Sequence, residues 1–268
     1  MSKRFTFDHD LHIHSFLSKC SQDPEQTPER VLQYAKDNGL NTVCLTNHYW
    51  DSAVAGAHPW YVPQNFDNLA KALPLPQTEG VRFLFGCETD MRKDFTIGIP
   101  PERYGDFDFI IVPTTHLQFP DFTIAREDYD SVEVKARLWV ERFDALLSMD
   151  LPFYKVGIAH LATRHMSEGD PGRYIDLIRA IPESDMRRLF TKAAELGVGI
   201  ELNSFDMRFS DEEADDVLRP FKIAKECGCK FYLGTDSHHP AALDAARGIF
   251  ERAIDLLGLC ESDKFILK

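Results

Sequence analysis

The most informative stretch of the chain is DLHIHSF at residues 10–16, which places His12 and His14 two positions apart, directly behind Leu11. In an extended strand, residues i and i+2 point to the same face. Two imidazoles on one face at the end of a strand can bind one metal ion. Two solvated histidines on a flexible N-terminus would show the same spacing, so the rest of the chain has to discriminate between these interpretations.

The composition restricts the class of protein. The chain has 268 residues, of which 44% are hydrophobic, and a formal net charge of -13. It can therefore bury a large core, as one α/β barrel or as two domains. The charge argues against nucleic acid as a partner, because phosphate backbones are bound by basic patches. A small phosphorylated substrate is compatible with that charge, since local cations or metals can override the global field.

Membrane and secretory segments are not expected. The sequence has no run of about 18 apolar residues, and its polar N-terminus leads directly into the histidine motif. Its six cysteines are scattered and form no CxxC pair, which favours reduced thiols. We therefore expect a cytoplasmic protein, whereas the sequence does not indicate an oligomeric state.

Short apolar runs alternate with helical patterns along the chain. The runs lie at residues 41–46, 81–86, 107–113, 155–159, 198–203 and 230–234. Alternating strands and helices over this length predict a mostly parallel sheet, either closed as a barrel or open. Thr27 predicts the start of a helix that Gly39 ends, and an apolar stripe predicts another helix over 183–196. Ser210 and Glu213 form a capping-box pattern for a later helix.

Two connections, 51–80 and 117–132, are longer than turns require and are expected to be lids or binding loops. Trp50, Trp60 and Tyr61 either line a substrate pocket or pack the first loop onto the body of the protein. Substrate choice would then depend on the shapes of these loops, which the sequence does not reveal.

Histidines and carboxylates follow the ends of the predicted strands. With the pair in the first stretch they make a set of eight: His12, His14, His48, Glu88, His116, His160, Asp236 and His238. Because the carboxyl ends of parallel strands meet on one face of an α/β fold, we expect these side chains to converge. Imidazole nitrogen with carboxylate oxygen suits zinc, iron or manganese better than calcium or an iron–sulfur cluster. Eight ligands are too many for one tetrahedral ion, so two or three divalent ions that share a bridging carboxylate are expected.

The ordered set DLHIHS, TNHYWD, GCETD, TTH, GIAH and GTDSHH, from Asp10 to about Pro240, resembles the PHP (polymerase and histidinol phosphatase) superfamily. The resemblance implies a distorted TIM-like (β/α)7 barrel, and so one domain over residues 1–268 with inserted loops at about 51–80 and 117–132. It also implies three ligand sets: His12, His14, Glu88 and Asp236 for one ion, Glu88, His116 and His160 for a second, and His48 and His238 for a third. The remaining histidines match no family position and are expected not to be ligands: His9, His58, His165 and His239.

The third ligand set departs from the family pattern. The loop after the first histidine pair often supplies a further ligand, and here it reads SFLSKCS, with Lys19 or Cys20 in that place. A protonated lysine does not bind a cation, whereas Cys20 could do so as a thiolate. Asn47 stands before His48 where family members usually have aspartate, a change that keeps the ligand itself.

Three basic residues are candidates for binding phosphate. The segment IELNSFDMRFS resembles one in histidinol-phosphate phosphatases that carries a phosphate-contacting arginine, which would be Arg208 here. Arg164 closely follows His160, and Lys19 is a third candidate cation. Guanidinium groups suit bidentate contact with phosphate oxygens, although a surface ion pair is the ordinary alternative for an arginine.

The expected reaction is hydrolysis of a small phosphomonoester, histidinol phosphate or a similar metabolite, by a hydroxide held between two ions. Asp236 or His238 would protonate the leaving alcohol. One alternative is another phosphoesterase of the same superfamily, acting on nucleotides, as an exonuclease or on phosphotyrosine in proteins. The other is a metal-binding regulatory protein without turnover. The number of bound ions discriminates between these readings, since two or three ions favour catalysis and one favours a structural role.

Overall fold

The structure is a computed structural model that describes residues 3–167 and 171–267. In these ranges the nine strands are β1 (His9–Ile13), β2 (Thr42–Leu45), β3 (His48–Tyr49), β4 (Arg82–Phe85), β5 (Cys87–Thr89), β6 (Ile110–Pro113), β7 (Val156–Ala159), β8 (Gly199–Asn203) and β9 (Lys230–Gly234). The seven α-helices are α1 (Pro28–Asn38), α2 (Phe66–Leu69), α3 (Val132–Leu146), α4 (Pro171–Ala180), α5 (Glu183–Leu196), α6 (Ala214–Glu226) and α7 (Pro240–Leu257). Each apolar run predicted from the sequence contains a strand.

Every strand pair in the described residues is parallel. One sheet has the order β1-β2-β4, and the other has the order β3-β5-β6-β7-β8-β9. Thr46 and Asn47 alone separate β2 from β3, and Gly86 alone separates β4 from β5. The two sheets therefore follow one another along shared chain segments. The predicted α/β class with parallel strands is confirmed.

The first and last strands meet through side chains. The Leu233 N–H donates to Nε2 of His9 at 3.1 Å. The Thr235 N–H donates to Oδ1 of Asp10 at 3.0 Å. Past the end of β9, two backbone hydrogen bonds join the segments: the Asp236 N–H to the His12 carbonyl at 2.7 Å and the His14 N–H to the Ser237 carbonyl at 3.0 Å. Strands β1 and β9 are thus neighbours, but the described residues form no continuous backbone ladder between them that would close one barrel sheet.

The predicted ends of α1 form as expected, whereas the predicted start of α6 is displaced. Thr27 caps α1, and Gly39 ends it with a φ of 64°, a left-handed conformation that costs glycine little. Ser210 and Glu213 do form the reciprocal bonds of a capping box, at 2.9 and 3.3 Å. Helix α6 nevertheless begins at Ala214, with Glu213 as an N-cap that makes no side-chain cap. The reciprocal bonds close a turn ahead of the helix rather than its first turn.

The strands bury both of their faces. Inside the curve of the sheets lies a separate apolar cluster: Leu11, Cys44, Leu84, Phe109, Ile111, Ala159, Tyr232, Phe265 and Leu267. The C-terminal segment supplies Phe265 and Leu267, and the Phe265 N–H donates to the carbonyl of Phe231, near the start of β9, at 2.8 Å. Burial of each large apolar side chain contributes about 1.5–3 kcal/mol. Apolar side chains of the strands therefore fill this part of the core, and the site lies at the carboxyl ends of the strands.

The two inserted loops pack on each other. Trp50, Tyr61 and Phe122 form a buried aromatic cluster, and the partly buried Trp60 and Phe119 pack against it. The first loop also contains α2. This packing holds aromatic side chains of both loops next to the carboxyl ends of the strands.

No helix within the described ranges is long and apolar enough to cross a membrane. That residues 1–268 form one domain, with the two loops inserted in it, stays a prediction.

Candidate metal centre

The strand register brings the eight predicted side chains together. His48 on β3 is the register partner of Glu88 on β5. The ends of β6 and β7 are also paired, so the rings of His116 and His160 emerge side by side, with centroids 4.8 Å apart. All eight belong to groups whose ligand atoms lie within 4.8 Å of one another: His12, His14, His48, Glu88, His116, His160, Asp236 and His238. The structure thus places every predicted ligand in one cluster.

The first group consists of His12, His14, Glu88 and Asp236. Nε2 of His14 lies 3.2 Å from Oε2 of Glu88 and 3.0 Å from Oδ1 of Asp236. Nε2 of His12 lies 3.5 and 3.4 Å from the same two oxygens, and the two Nε2 atoms are 3.2 Å apart. Two imidazoles bound to one zinc ion would place their nitrogens roughly 3–3.5 Å apart. The spacing of this group therefore fits a shared cation.

Glu88 divides its two oxygens between two groups. Oε2 faces the first group, while Oε1 lies 3.8 Å from Nε2 of His160, in a second group that His116 completes. Glu88 is fully buried, and neither oxygen accepts a hydrogen bond from any residue that the structure describes. Burial of a carboxylate costs several kcal/mol unless positive charge compensates it. A cation on each side would remove that cost, so the donor set fits two ions bridged by Glu88.

A third group lies beside the first. Its ligand atoms belong to His14, Cys20, His48 and His238. The His14 and His238 rings stack, with centroids 4.6 Å apart and an interplanar angle of 14°. Nδ1 of His48 is buried and lies 3.0 Å from Oε2 of Glu88, without hydrogen-bond geometry to any described residue. Of the two residues that the sequence offered for this position, Cys20 is the one that the loop after β1 brings to the group.

The outer ring nitrogens of three histidines are held by other side chains. The acceptors are Glu201 for His12 at 2.6 Å, Asp90 for His116 at 2.9 Å and the Ser18 hydroxyl for His14 at 2.9 Å. Each bond occupies Nδ1, orients the ring and leaves Nε2 as the ligand atom. Carboxylate partners of this kind raise the basicity of metal-binding histidines. The arrangement is the one that a metal centre requires.

The sequence prediction missed these supporting carboxylates. Asp90 lies two positions after Glu88, on a short strand and its continuation, where alternate residues share a face. Glu201 is an acid inside the apolar run of β8 and is fully buried. Oδ1 of a third acid, Asp206, lies 3.6 Å from Nδ1 of His160. A buried acid within an apolar strand is a signal that could have found Glu201, whereas Asp206 lies in a loop and carries no such signal.

When no cation is bound, the electrostatics of the cluster lower the pKa values of Glu88 and Asp236 and raise those of His12, His48 and His160. Burial opposes ionisation of Glu88, but His48 and His12 outweigh it and hold the pKa of Glu88 well below its usual value. Burial likewise opposes the charge of His160, but the nearby carboxylate of Asp206 outweighs it and raises the pKa of His160 to about 10. A cation that binds here therefore displaces protons from histidines, so metal affinity depends on pH.

Two candidate ligands have a left-handed backbone. The φ angles are 62° at His160 and 52° at Asp236. This conformation costs a residue with a side chain roughly 1–2 kcal/mol. Neighbouring groups hold both residues in place: the Thr115 hydroxyl donates to the His160 carbonyl at 2.6 Å, and the Asp236 N–H donates to the His12 carbonyl at 2.7 Å. Strain held in this way is typical of functional sites.

A cavity of about 150 Å³ opens beside the ligand groups. Ligand residues form one part of its wall, and both inserted loops supply another part through Trp60, Tyr61, Gln118 and Phe119. Trp50 instead belongs to the buried aromatic cluster. The sequence left open whether these aromatic residues line a pocket or pack the loops, and the structure shows both uses.

The three predicted phosphate-binding cations lie outside the wall of this cavity. Arg164 donates two hydrogen bonds to the carboxylate of Glu213, at 2.9 and 3.0 Å, and its guanidinium lies 5.0 Å from the centre of the Tyr174 ring. Arg208 is exposed, and Lys19 lies at a separate surface cavity. Among the described residues, no lysine or arginine lines the cavity of the metal centre. A phosphate-binding role for these residues stays a prediction, and for Arg164 it requires release from Glu213.

The chain matches no protein-family model and no curated protein. A histidinol phosphate phosphatase from Lactococcus lactis subsp. lactis, solved with zinc, L-histidinol and phosphate, has a TM-score of 0.56 at 17% identity, over 97% of this chain and 98% of that one. A candidate histidinol phosphatase from Listeria monocytogenes has a TM-score of 0.63 at 13% identity, over 90% and 99%. The chain has the fold of these histidinol phosphatases. The resemblance predicted from the sequence motifs is confirmed at the level of the fold.

Proposed function

We propose that the protein is a metal-dependent phosphatase of a small phosphomonoester, with histidinol phosphate as the first candidate substrate. The observation that carries the proposal is the position of Glu88, whose two buried oxygens face two ligand groups and accept no hydrogen bond from the described residues. The likeness to a phosphatase solved with zinc, L-histidinol and phosphate supports it. We also propose that the two sheets act as one distorted barrel of the PHP type, with the ligand groups at its carboxyl end.

Two or three divalent ions, zinc, iron or manganese, would be held by the residues of the three groups. The proposed ligands are His12, His14, His48, Glu88, His116, His160, Asp236 and His238. Bound ions supply Lewis acidity and lower the pKa of water toward neutrality. The protein's own contribution is orientation, since Glu201 and Asp90 occupy the outer nitrogens of their histidines and direct the inner nitrogens into the groups.

The cavity indicates the kind of substrate. A volume of about 150 Å³ suits a small ester better than a polymer, and the net charge of -13 disfavours a polynucleotide. Trp60 and Phe119 line the cavity and offer an apolar surface to the organic part of the substrate, next to the ligand groups. Asp236 and His238, whose side chains are 13% and 29% exposed, both line the cavity and stay the proposed proton donors to the leaving alcohol.

The proposal is tested with the purified chain loaded separately with zinc, manganese and iron(II). We expect release of inorganic phosphate from L-histidinol phosphate or another small monoester, loss of that release after chelation, and recovery when the ion is returned. Glu88→Gln keeps the volume and removes the bridging charge, so it should lower kcat about 100-fold or more. Glu195→Gln, at an exposed position of α5, is the matched control and should leave kcat unchanged.

Two outcomes would count against the proposal. A chain that carries two or three ions and releases no phosphate from a broad panel of esters is not a phosphatase. A chain that carries one ion and turns over nothing would instead support a metal-binding regulatory protein.

A further inference from the structure

The loop after β1 forms a turn whose two ends are tied to different parts of the candidate metal centre. The Ser21 N–H donates to the Ser18 carbonyl at 2.9 Å, which leaves Lys19 and Cys20 at the tip of the turn. The Ser18 hydroxyl accepts from the His48 N–H at 3.1 Å. The Ser21 hydroxyl donates to the His238 carbonyl at 2.6 Å. The turn is therefore held between the two segments that carry His48 and His238.

The two residues at the tip of this turn contact different cavities. Cys20 lines the cavity of the metal centre, together with His48 and His238. Lys19 lines a separate surface cavity, and its backbone N–H donates to Oε1 of Gln64 at 2.9 Å. Cys20 is therefore the residue of the loop that reaches the histidines.

The third group combines the thiol of Cys20 with the imidazoles of His48 and His238. Its fourth member, His14, is occupied on both sides, since Nδ1 bonds to Ser18 at 2.9 Å and Nε2 lies 3.0 Å from Asp236 in the first group. The side chain of His48 is only 8% exposed, and its Nδ1 atom lies 3.0 Å from Oε2 of Glu88, without hydrogen-bond geometry to any residue that the structure describes. A thiol and two imidazoles whose ligand atoms lie within 4.8 Å of one another are the donor set of a metal position.

We propose that Cys20, as a thiolate, binds a divalent ion together with His48 and His238, and that this position prefers zinc over manganese and iron(II). The inference rests on the proposed function, because it concerns the same metal centre. On binding, the thiol proton passes to solvent and the sulfur forms a bond to the ion. Thiolate sulfur is a soft ligand that favours zinc, whereas carboxylate and imidazole also accept the harder ions.

An ion bound by Cys20, His48 and His238 would restrict the choice of proton donor. Three protein ligands leave one coordination position open, as in catalytic zinc sites. A histidine whose nitrogen holds an ion is not available as a proton donor. His238 would therefore be a ligand, and Asp236 would be the remaining candidate for protonating the leaving alcohol.

Cobalt(II) provides the first test, because a cobalt–thiolate bond produces a charge-transfer band in the near ultraviolet. The metal-free chain is titrated with cobalt while bound ions are counted. We expect the band in the unmodified protein, and Cys20→Ser should lose both the band and one ion per chain. Cys227→Ser, a partly buried cysteine whose Sγ contacts the Arg187 carbonyl, is the matched control and should keep both. Two or more bound cobalt ions without the band would overturn the proposal.

A second measurement needs no variant. Cys20 is exposed, so iodoacetamide should alkylate it in the metal-free chain. Zinc should protect Cys20 from alkylation, while the partly buried Cys227 and Cys260 should react equally with and without zinc, as peptide mass spectrometry would show. Equal alkylation of Cys20 in both states would refute thiolate binding.

Metal preference is tested with Cys20→Asp, which replaces sulfur by a hard oxygen ligand. The ratio of zinc affinity to manganese affinity at the third position should fall by about tenfold or more. An unchanged ratio would contradict the proposed selectivity. None of these readouts requires turnover. A protein that shows the cobalt band but hydrolyses no ester would support this metal position and refute the phosphatase proposal. A protein that hydrolyses esters without showing the band would support the phosphatase proposal and refute this metal position.

Discussion

Oε1 of Glu201 lies 2.6 Å from Nδ1 of His12, although 189 positions separate the two residues in the chain. The hydrogen bond orients the His12 ring so that Nε2 faces His14 and the first ligand group. Gly234 permits this approach, because a Cβ atom at that position would collide with the Glu201 carboxylate and lie 2.6 Å from Cβ of His12. A histidine on the first strand is thus positioned by an acid on the eighth strand and a glycine on the ninth.

Replacing Glu201 should weaken metal binding without removing a ligand. We expect Glu201→Gln to lower zinc affinity by about 10- to 100-fold, since an amide supports the imidazole less than a carboxylate does. Gly234→Ala should act in the same direction by displacing Glu201. Isothermal titration of the metal-free proteins measures the effect, with Glu195→Gln as the control. Zinc affinity that is unchanged in Glu201→Gln would show that the carboxylate does not position His12.

Tyr61 connects the first inserted loop to the metal centre. Its hydroxyl donates to Asp90, and Asp90 accepts from Nδ1 of His116 at 2.9 Å. Tyr61→Phe removes one hydrogen bond of about 1 kcal/mol, so zinc affinity should fall about fivefold. Asp90→Asn should cause a larger loss, about 10- to 100-fold.

The matched control for this pair is Tyr49→Phe. The Tyr49 hydroxyl donates to Asp51, which belongs to none of the ligand groups in the described residues. Zinc affinity should be unchanged in this variant. A larger loss in Tyr61→Phe than in Asp90→Asn would mean that the tyrosine acts on the site by another route.

Arg142 stabilises the segments that follow β5 and β6. Its guanidinium is fully buried and donates to four backbone carbonyls, those of Met91, Arg92, Thr114 and Thr123, at 2.6–3.2 Å. Burial lowers the pKa of Arg142 to about 10, which leaves it charged at neutral pH. Arg142→Met should lower the free energy of unfolding by about 3 kcal/mol or more, because the carbonyls lose their donors.

Denaturant unfolding of the metal-free proteins tests this effect apart from metal binding. Arg137→Met is the control on the same helix, where the arginine is exposed and pairs with Glu141 at 3.4 Å. Its cost should not exceed about 0.5 kcal/mol. Equal stability losses in the two variants would contradict a structural role specific to Arg142.

Asp8 should contribute a pH-dependent part of the stability. It lies 2.8 Å from Nδ1 of His9 and 2.9 Å from Nζ of Lys264. Burial opposes its charge, but these two hydrogen bonds outweigh it and lower the pKa of Asp8 from 3.8 to about 2. Because the folded pKa is the lower one, the stabilisation is present above pH 3.8 and is lost as the pH falls toward 2.

Asp8→Asn removes this contribution. The side chain is 27% exposed, so solvent screening reduces the expected loss at neutral pH to about 1 kcal/mol. The difference in unfolding free energy between the two proteins should shrink as the pH falls from about 4 to 2. A difference that stays constant over that range would rule out Asp8 as its source.

The strands and their ligands could be predicted from the sequence, because both follow from local order along the chain. An apolar run of five to seven residues contains a strand whose next residues emerge at its carboxyl end, as for Glu88 and His160. In a parallel sheet all such ends lie on the same side. The caps of α1 at Thr27 and Gly39 were equally local, since each acts on backbone groups a few residues away.

Contacts between distant segments could not be predicted in this way. Arg164 follows a ligand by four positions, but it pairs with Glu213 beyond the next two helices. The side chains of His9 and Asp10 accept hydrogen bonds from backbone N–H groups at the end of the last strand and so connect it to the first strand. An apolar sequence pattern does not indicate these bonds. Ser210 and Glu213 form the reciprocal hydrogen bonds of a capping box in the turn before α6, and not at its start. The Glu213 carboxylate also accepts a hydrogen bond from Arg164.

By itself, the sequence determined which donor atoms the protein has, their order along the chain and the strand ends that present them, because strand and turn formation depends on neighbours within a few residues. Only the tertiary structure decided that Glu201 supports His12, that Cys20 rather than Lys19 faces the histidines, and that Arg164 is bound to Glu213. These pairings depend on strand register and on the paths of loops, which are set by packing between residues far apart in the chain.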